Sequence, residues 1–191
     1  ISSKKSLELI NFKKNMVDFT TGVSINNLAL NENDIGEFRT FLKLSPPLRS
    51  EEDRVSLIDG INKNLIDVIV SDHKPEDEES KRLTFSQAAT GASGIETFLS
   101  LALEQFHNGS IKLEKIIELI THNPAKILKI DKGNLSVGVN ADFCIVDISK
   151  PWIVKKENLV SKSKNTSIEG RKLQGKVLCT FVKGHELYKI K

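Results

Sequence analysis

Apolar positions along this chain change period from segment to segment. Ile66, Val68, Ile69 and Val70 make a short, mostly β-branched run. Such a run fits a strand of a parallel sheet covered on both faces. It ends abruptly at Asp72-His73. Upstream, residues 4–14 carry Leu7, Ile10 and Lys14 at helical spacing behind Ser2 and Ser3, which offer an N-cap. Residues 17–24 read as a strand, and Asn31 is placed to cap a short helical turn. Leu44 to Arg49 holds two prolines and reads as a rigid extended connector. Ser50 then opens a helix running to about Asn64, with Glu51, Glu52 and Asp53 in its first turn, where acids suit the dipole. The order α, β, α, β predicts a parallel sheet with helical crossovers. A closed eight-stranded barrel takes about 250 residues, so a chain of 191 residues cannot form one alone.

A small-residue loop, Ala88 to Gly94, follows the charged stretch Lys74 to Arg82. Ile95 to Phe106 predicts a strongly apolar helix. Leu113 to Thr121 predicts another, with Leu113, Ile116, Ile117 and Ile120 on one stripe. Asn123-Pro124 predicts the start of a third, with Pro in its first turn. Near Lys132 the character changes. Glycines then punctuate short strand-like runs at 141–147, 152–154, 175–182 and 186–190. The expected organisation is an α/β part over 1–132 and a small β module over 133–191.

Composition narrows the function classes. Hydrophobic residues make up 39% and charged residues 28%, a globular balance rather than a disordered one. No apolar run approaches the roughly 20 residues of a membrane span. The net charge of +3 is dispersed among interleaved acids and bases, so it makes no case for nucleic acid. A basic bias from Lys155 to Lys176 reads as solvated surface. Cys144 and Cys179 lie in strand-like runs and predict buried free thiols. With no Cys-x-x-Cys spacing and no visible signal peptide, a reducing, cytoplasmic setting is expected. The chain begins at Ile1 without a Met, directly ahead of a helix.

The candidate chemistry centres on Asp72. In barrels built from such strands, reacting groups stand at the C-terminal strand ends, where Asp72 falls, ahead of a charged segment and a glycine loop. The plain alternative is an Asp that only closes a turn.

Several motifs together resemble the C-terminal half of a dihydroorotase, a cyclic amidohydrolase. Residues 1–3 resemble the stretch after a metal-binding His on barrel strand six. Lys43 to Arg49 resembles the family's Asn-Pro-Pro-Leu-Arg connector, and Asp67 to Pro75 its Ile-Asp-x-Ile-x-x-Asp-His-x-Pro at strand eight. Gly91 to Thr97 resembles Gly-x-x-Gly-Leu-Glu-Thr, and Asn123-Pro124-Ala125 with Ile127-Leu128 resembles Asn-Pro-Ala-x-x-Leu. Gly133 to Asp147, Trp152, Lys162 to Thr166 and Gly175 to Gly184 resemble the return to a small β-sandwich outside the barrel.

The resemblance implies the C-terminal part of a (β/α)8 metal-dependent barrel plus a β-sandwich segment. It implies reversible hydrolysis of dihydroorotate to carbamoyl aspartate in pyrimidine synthesis. Zinc would polarise the ring carbonyl and acidify a water. Asp72 matches the aspartate that contacts the metal-bound water and shuttles its proton. His73 would sit behind it as a supporting group. Asn27, Arg49, Ala89 and Gly91 would contact substrate, the Arg49 guanidinium donating to the substrate's carboxylate; the plainer role for Arg49 is an ion pair with Glu52 or Asp53. The remaining zinc ligands would lie upstream, so the chain alone is expected to be inactive.

Departures accompany the match. Asn26-Asn27 stand where the family often has His-His, Ser45 where the connector has Asn, and Glu76 where a substrate-binding His is expected. Glutamate there would repel a dicarboxylate. These departures raise two alternatives: a non-catalytic partner subunit of an aspartate carbamoyltransferase, or a hydrolase of another cyclic amide such as a hydantoin. A homodimer or a partner chain is expected in either case. His107, His122 and His185 lack ligand spacing and read as structural.

Overall fold

The computed structural model describes residues 1–190. Helix α1 (Lys4–Lys13) begins where the Ser3 hydroxyl accepts the Ser6 amide at 3.3 Å. Helix α3 (Glu51–Asn62) begins likewise, with the Ser50 hydroxyl accepting the Asp53 amide at 3.2 Å. The two helices pack on each other and share a core with a pair of parallel strands, β1 (Gly22–Ser24) and β2 (Val68–Val70). Their register pairs Gly22 with Val68, Val23 with Ile69 and Ser24 with Val70. Apolar side chains around them form one core, including Leu7, Val23, Ile25, Leu57, Ile61, Ile66 and Ile69.

The strand expected over 17–24 is only three residues long, because residues 17–20 find no partner strand and run exposed into the sheet. The run at 66–70 is less covered than expected. Ile69 is buried, but Val70 is 45% exposed, since β2 has one strand neighbour among the described residues. Between the strands lie α2 (Ile25–Ala29), capped by Ser24, and a 3-10 turn, Glu32–Ile35, closed by a capping box from Asn31 to Asp34.

After β2 come the short helix α4 (Glu78–Arg82) and α5 (Phe98–His107), which starts three residues later than its apolar run suggests. The Thr97 amide closes a turn onto the Gly94 carbonyl first. Helix α6 (Leu113–Ile117) does not stop before Asn123. It widens through a turn at Glu118–His122 and continues as α7 (Asn123–Leu128). Pro124 lacks an N–H and would crowd a regular helix, and the wider bonding sits just ahead of it.

Beyond residue 132, β3 (Phe143–Ile153), β4 (Lys172–Val182) and β5 (His185–Lys189) form one antiparallel sheet in that order. Among the described residues it is a single sheet, not two facing sheets. One side of β4 rests on α5: the Ser100 hydroxyl donates to the Gly175 carbonyl at 2.7 Å, and the Trp152 indole N–H donates to Ser100 Oγ at 3.1 Å. The other side is open. Cys144 is therefore exposed and Cys179 half-buried, contrary to the expectation of two buried thiols. Runs expected as separate strands at 141–147 and 152–154 are one strand interrupted by register shifts. His107 Nε2 lies 3.0 Å from the Ile148 carbonyl, and His185 opens β5 just after its turn.

Residues 154–171 leave the sheet and return to the α/β part, burying Val154, Asn165, Thr166, Ser167 and Ile168 there. No described helix is long and apolar enough to cross a membrane.

Candidate active site

The site is built where β1 and β2 end side by side. After Val70 the chain leaves the sheet, and Asp72 takes φ +50. Few residue types tolerate that left-handed geometry, and Asp is one of them, since its short polar side chain can bond locally. The register explains what the carboxylate meets. Ser24 closes β1 opposite Val70, and its hydroxyl donates to Asp72 Oδ2 at 3.2 Å.

A relay of buried polar groups stands behind that bond. Ser167 Oγ donates to Asn26 Oδ1 at 3.0 Å, and Asn26 Nδ2 reaches Ser24 Oγ at 3.5 Å. Each donor points toward the carboxylate, an arrangement in which successive hydrogen bonds polarise one another. Asn27 is buried beside them. Its Nδ2 donates to the Pro47 carbonyl at 3.0 Å, while its Oδ1 has no partner. A buried acceptor without a donor carries a desolvation cost.

His73 turns the other way. Its Nδ1 accepts the amides of Gly94 at 3.1 Å and Ile95 at 3.3 Å, and its backbone bridges to Ala92. Two donors on Nδ1 put the ring proton on Nε2. The histidine thus fixes the 92–95 turn rather than the Asp72 carboxylate. Ala89 and Gly91 lie on the preceding loop. The Ala89 amide donates to the Ser80 carbonyl at 3.0 Å and the Gly91 amide to the Lys43 carbonyl at 2.9 Å. Both donors are spent within the protein, and the Ala89 and Gly91 carbonyls accept Lys81 Nζ at 2.7 Å and Asn165 Nδ2 at 3.4 Å, so the loop offers chiefly shape. Gly91 sits at φ +143, and a Cβ there would fall 2.5 Å from the Lys74 carbonyl oxygen.

Arg49 is exposed and forms no ion pair among the described residues; Glu52 pairs with Lys4, and Asp53 accepts the Lys4 amide and the Ser50 hydroxyl. Glu76 is half-buried and lies 3.2 Å from the Lys74 ammonium, which screens its charge. Its backbone is held by the return segment, with the Ser163 hydroxyl donating to the Glu76 carbonyl at 2.5 Å. A cleft of about 880 Å³ opens there between Glu76, Phe41 and Lys164, and Asp72 does not line it.

The donors do not fit zinc on their own. Among the described residues no three His, Cys, Asp or Glu side chains converge, and catalytic zinc takes about three protein ligands. Asp72 could supply one.

Sequence reasoning did not single out Ser24 or Ser167, and it read Asn165 only as part of the Lys162 to Thr166 resemblance. Ser167 and Asn26 are 141 residues apart, so no local signal joins them.

A sequence profile described as the amidohydrolase family matches residues 5–187. Similar curated proteins include the dihydroorotase of Ehrlichia canis, 39% identical over 189 residues that cover 98% of this chain and 42% of that protein. The dihydroorotase of Aquifex aeolicus is 40% identical over 190 residues, covering 99% and 45%. Among solved structures, an L-hydantoinase (dihydropyrimidinase) from Arthrobacter aurescens superposes with a TM-score of 0.93 at 28% identity, covering 99% of this chain and 44% of that one. A D-hydantoinase, at 0.89 and 23%, shares the fold. The chain spans less than half the length of the curated relatives it matches. Its mixed α/β architecture matches a partial barrel of that fold.

Proposed function

Because the chain belongs to the amidohydrolase family, we propose that the complete protein is a dihydroorotase-like hydrolase of cyclic amides. Its reaction would be the reversible opening of dihydroorotate to carbamoyl aspartate in pyrimidine synthesis, in the cytoplasm. The observation that carries this reading is the placement of Asp72 at the paired ends of β1 and β2, its carboxylate held by Ser24. Identity of 38–40% to curated dihydroorotases across nearly the whole chain supports it.

In this reading Asp72 takes a proton from the attacking water and returns it to the ring nitrogen as the C–N bond breaks. The Ser24 hydroxyl fixes the carboxylate for both transfers. Asn27 Oδ1, without a protein donor, would accept a ring N–H. Gly91 and Ala89 would shape the wall, and Arg49 would hold a substrate carboxylate after moving from its exposed position. Zinc would belong to the complete protein, with Asp72 one ligand of a set otherwise drawn from beyond these residues. Residues 1–132 would form the end of the barrel and 133–191 part of a small β-sandwich.

A second reading, hydrolysis of a hydantoin-type ring, is favoured by the 0.93 superposition on an L-hydantoinase and by Glu76 standing where a substrate-binding His is expected. A third, a non-catalytic partner of an aspartate carbamoyltransferase, rests on Asn26, Asn27, Ser45 and Glu76 at positions where histidine or asparagine is expected. The protein would then act in a complex with that enzyme, whereas the catalytic readings fit a homodimer.

The test is the complete protein assayed with dihydroorotate and with hydantoin, beside its Asp72→Ala variant. Loss of about a hundredfold or more in turnover is expected for a group in general acid–base work. Wild-type turnover in the variant overturns the role of Asp72, and no turnover of either ring in the wild type leaves the partner-subunit reading.

A further inference from the structure

The bulkiest side chain withdrawn from solvent in this fold is a lysine. Lys81, on α4, is 2% exposed. Lysine is almost never fully buried unless paired with an acid, yet both partners of this ammonium are backbone carbonyls, Ala89 at 2.7 Å and Thr40 at 3.0 Å.

Those two carbonyls belong to different segments. Thr40 opens the 3-10 turn Thr40–Leu42 at the head of the proline connector, and Ala89 lies in the glycine loop. The Thr40 hydroxyl donates back to the Lys81 carbonyl at 2.6 Å, the Ala89 amide bonds Ser80, the Gly91 amide bonds Lys43, and Lys43 Nζ reaches the Ser86 carbonyl at 2.8 Å. Helix, connector and loop therefore meet at one ammonium. We propose that Lys81 is a positioning residue that couples closure of the 84–91 loop to loss of its own proton.

The coupling follows from where the charge sits. Glu76 favours the ammonium, while Lys43 and Lys74 disfavour it; on its own helix Arg82 is paired with Glu78 and Glu79. Desolvation is the largest influence; with Lys43 and Lys74 acting in the same direction it outweighs Glu76 and holds Lys81 down at about 8, from an ordinary 10.5. Lifting the loop exposes the ammonium to water and restores the ordinary value. Between the two values the shut loop binds fewer protons than the open one. Closure is then weakest below pH 8, strengthens as pH rises through about 8, and gains nothing more above 10.5. The consequence for the site rests on the reading that Ala89 and Gly91 form its wall.

Amide hydrogen exchange on this chain tests the coupling without substrate. Protection factors, with intrinsic rates divided out, are compared at pH 7 and 9 for Ala89 and Gly91 against Leu101 in α5. In the wild type a rise of about tenfold is expected at Ala89 and Gly91, because above about pH 8 the shut loop has lost its proton and the open one has not, so closure gains roughly tenfold for each further step of one in pH. Leu101 stays unchanged. In Lys81→Met the rise disappears. A flat wild-type profile, or an equal rise at Leu101, overturns the proposal. If Lys81→Met does not fold, the wild-type profile decides alone. Failure of the complete protein to hydrolyse dihydroorotate or hydantoin would overturn the functional reading and leave this coupling standing.

Discussion

Ser24 Oγ stands 3.2 Å from Asp72 Oδ2, across 48 residues of sequence. Strand pairing makes the contact. The parallel register that sets Ser24 beside Val70 brings the hydroxyl to a carboxylate two residues further on. The same hydroxyl caps α2 by accepting the Asn26 amide at 3.3 Å.

Ser24→Ala therefore has two separable effects. Loss of a helix cap costs about 1 kcal/mol, or roughly 2–4 °C in melting temperature for a chain of this size. Loss of a donor to an ionised acceptor is worth somewhat more. In the complete protein it should lower kcat by about tenfold with KM little changed. Ser24→Thr keeps the hydroxyl and adds the β-branched preference of a strand, and should restore most of both. A drop in melting temperature with kcat intact would reduce Ser24 to a cap.

Gly91→Ala meets two obstacles at once. The residue holds φ +143, and the new methyl would press on the Lys74 backbone carbonyl rather than a yielding side chain. A cost of about 2–4 kcal/mol is expected from strain and overpacking. The melting temperature should fall by roughly 5–15 °C. A loss under about 2 °C, the low end for a 1 kcal/mol change, would mean that the loop relaxes freely.

The stretch from Ile66 to His73 is legible in the sequence because one short run carries both a strand signal and a carboxylate at its end. The Ser50 helix start and the Asn31 turn are legible because capping is chemistry between residues three apart. What joins Asp72 to its surroundings is not. Ser24 looks like the tail of a longer strand, since residues 17–21 share its extended character and only the missing partner strand shortens it. Ser167 and Asn165 reach the site through a return of the chain that no periodicity announces. Lys81 looks like one more charge in a solvated segment, because burial of an ammonium by two carbonyls leaves no trace in composition. The wide turn before Asn123 escapes for a related reason: Pro124 signals a helix start and a helix distortion equally well.

Acid sensitivity should be traceable to Glu51. Its carboxylate grips Arg54 at 2.6 and 2.7 Å and accepts Asn31 Nδ2 at 2.8 Å, which holds it down at about 2 from an ordinary 4.5. A depressed carboxylate stabilises the fold fully above its unfolded value, and that contribution is lost as pH falls from 4.5 toward 2. Glu51 is half-exposed, so solvent screening keeps the effect under about 1 kcal/mol. Urea midpoints at pH 5 and 3 should differ less in Glu51→Gln than in the wild type, and the gap should narrow further in high salt. An identical difference in the two proteins would remove Glu51 from the acid response.

The chain holds one tryptophan, and its position makes it a probe of how the two parts are joined. Trp152 lies on β3 with its N–H on Ser100 of α5 and the Lys176 ammonium 3.8 Å from the ring centre. Val154, Ile168 and Leu173 from the later segment belong to the same core as Ile25, Ile61 and Leu101. A continuous core predicts one cooperative transition rather than two. Tryptophan fluorescence and far-ultraviolet circular dichroism should share one urea midpoint. Gly175 lies in this joint at φ +101, where an added Cβ would collide with Leu103 Cδ1. Gly175→Ala should lower both signals together, by the equivalent of about 2 kcal/mol for a strained, overpacked position. A variant whose fluorescence midpoint falls while the helical signal holds would show that the sheet unfolds independently of the helices beneath it.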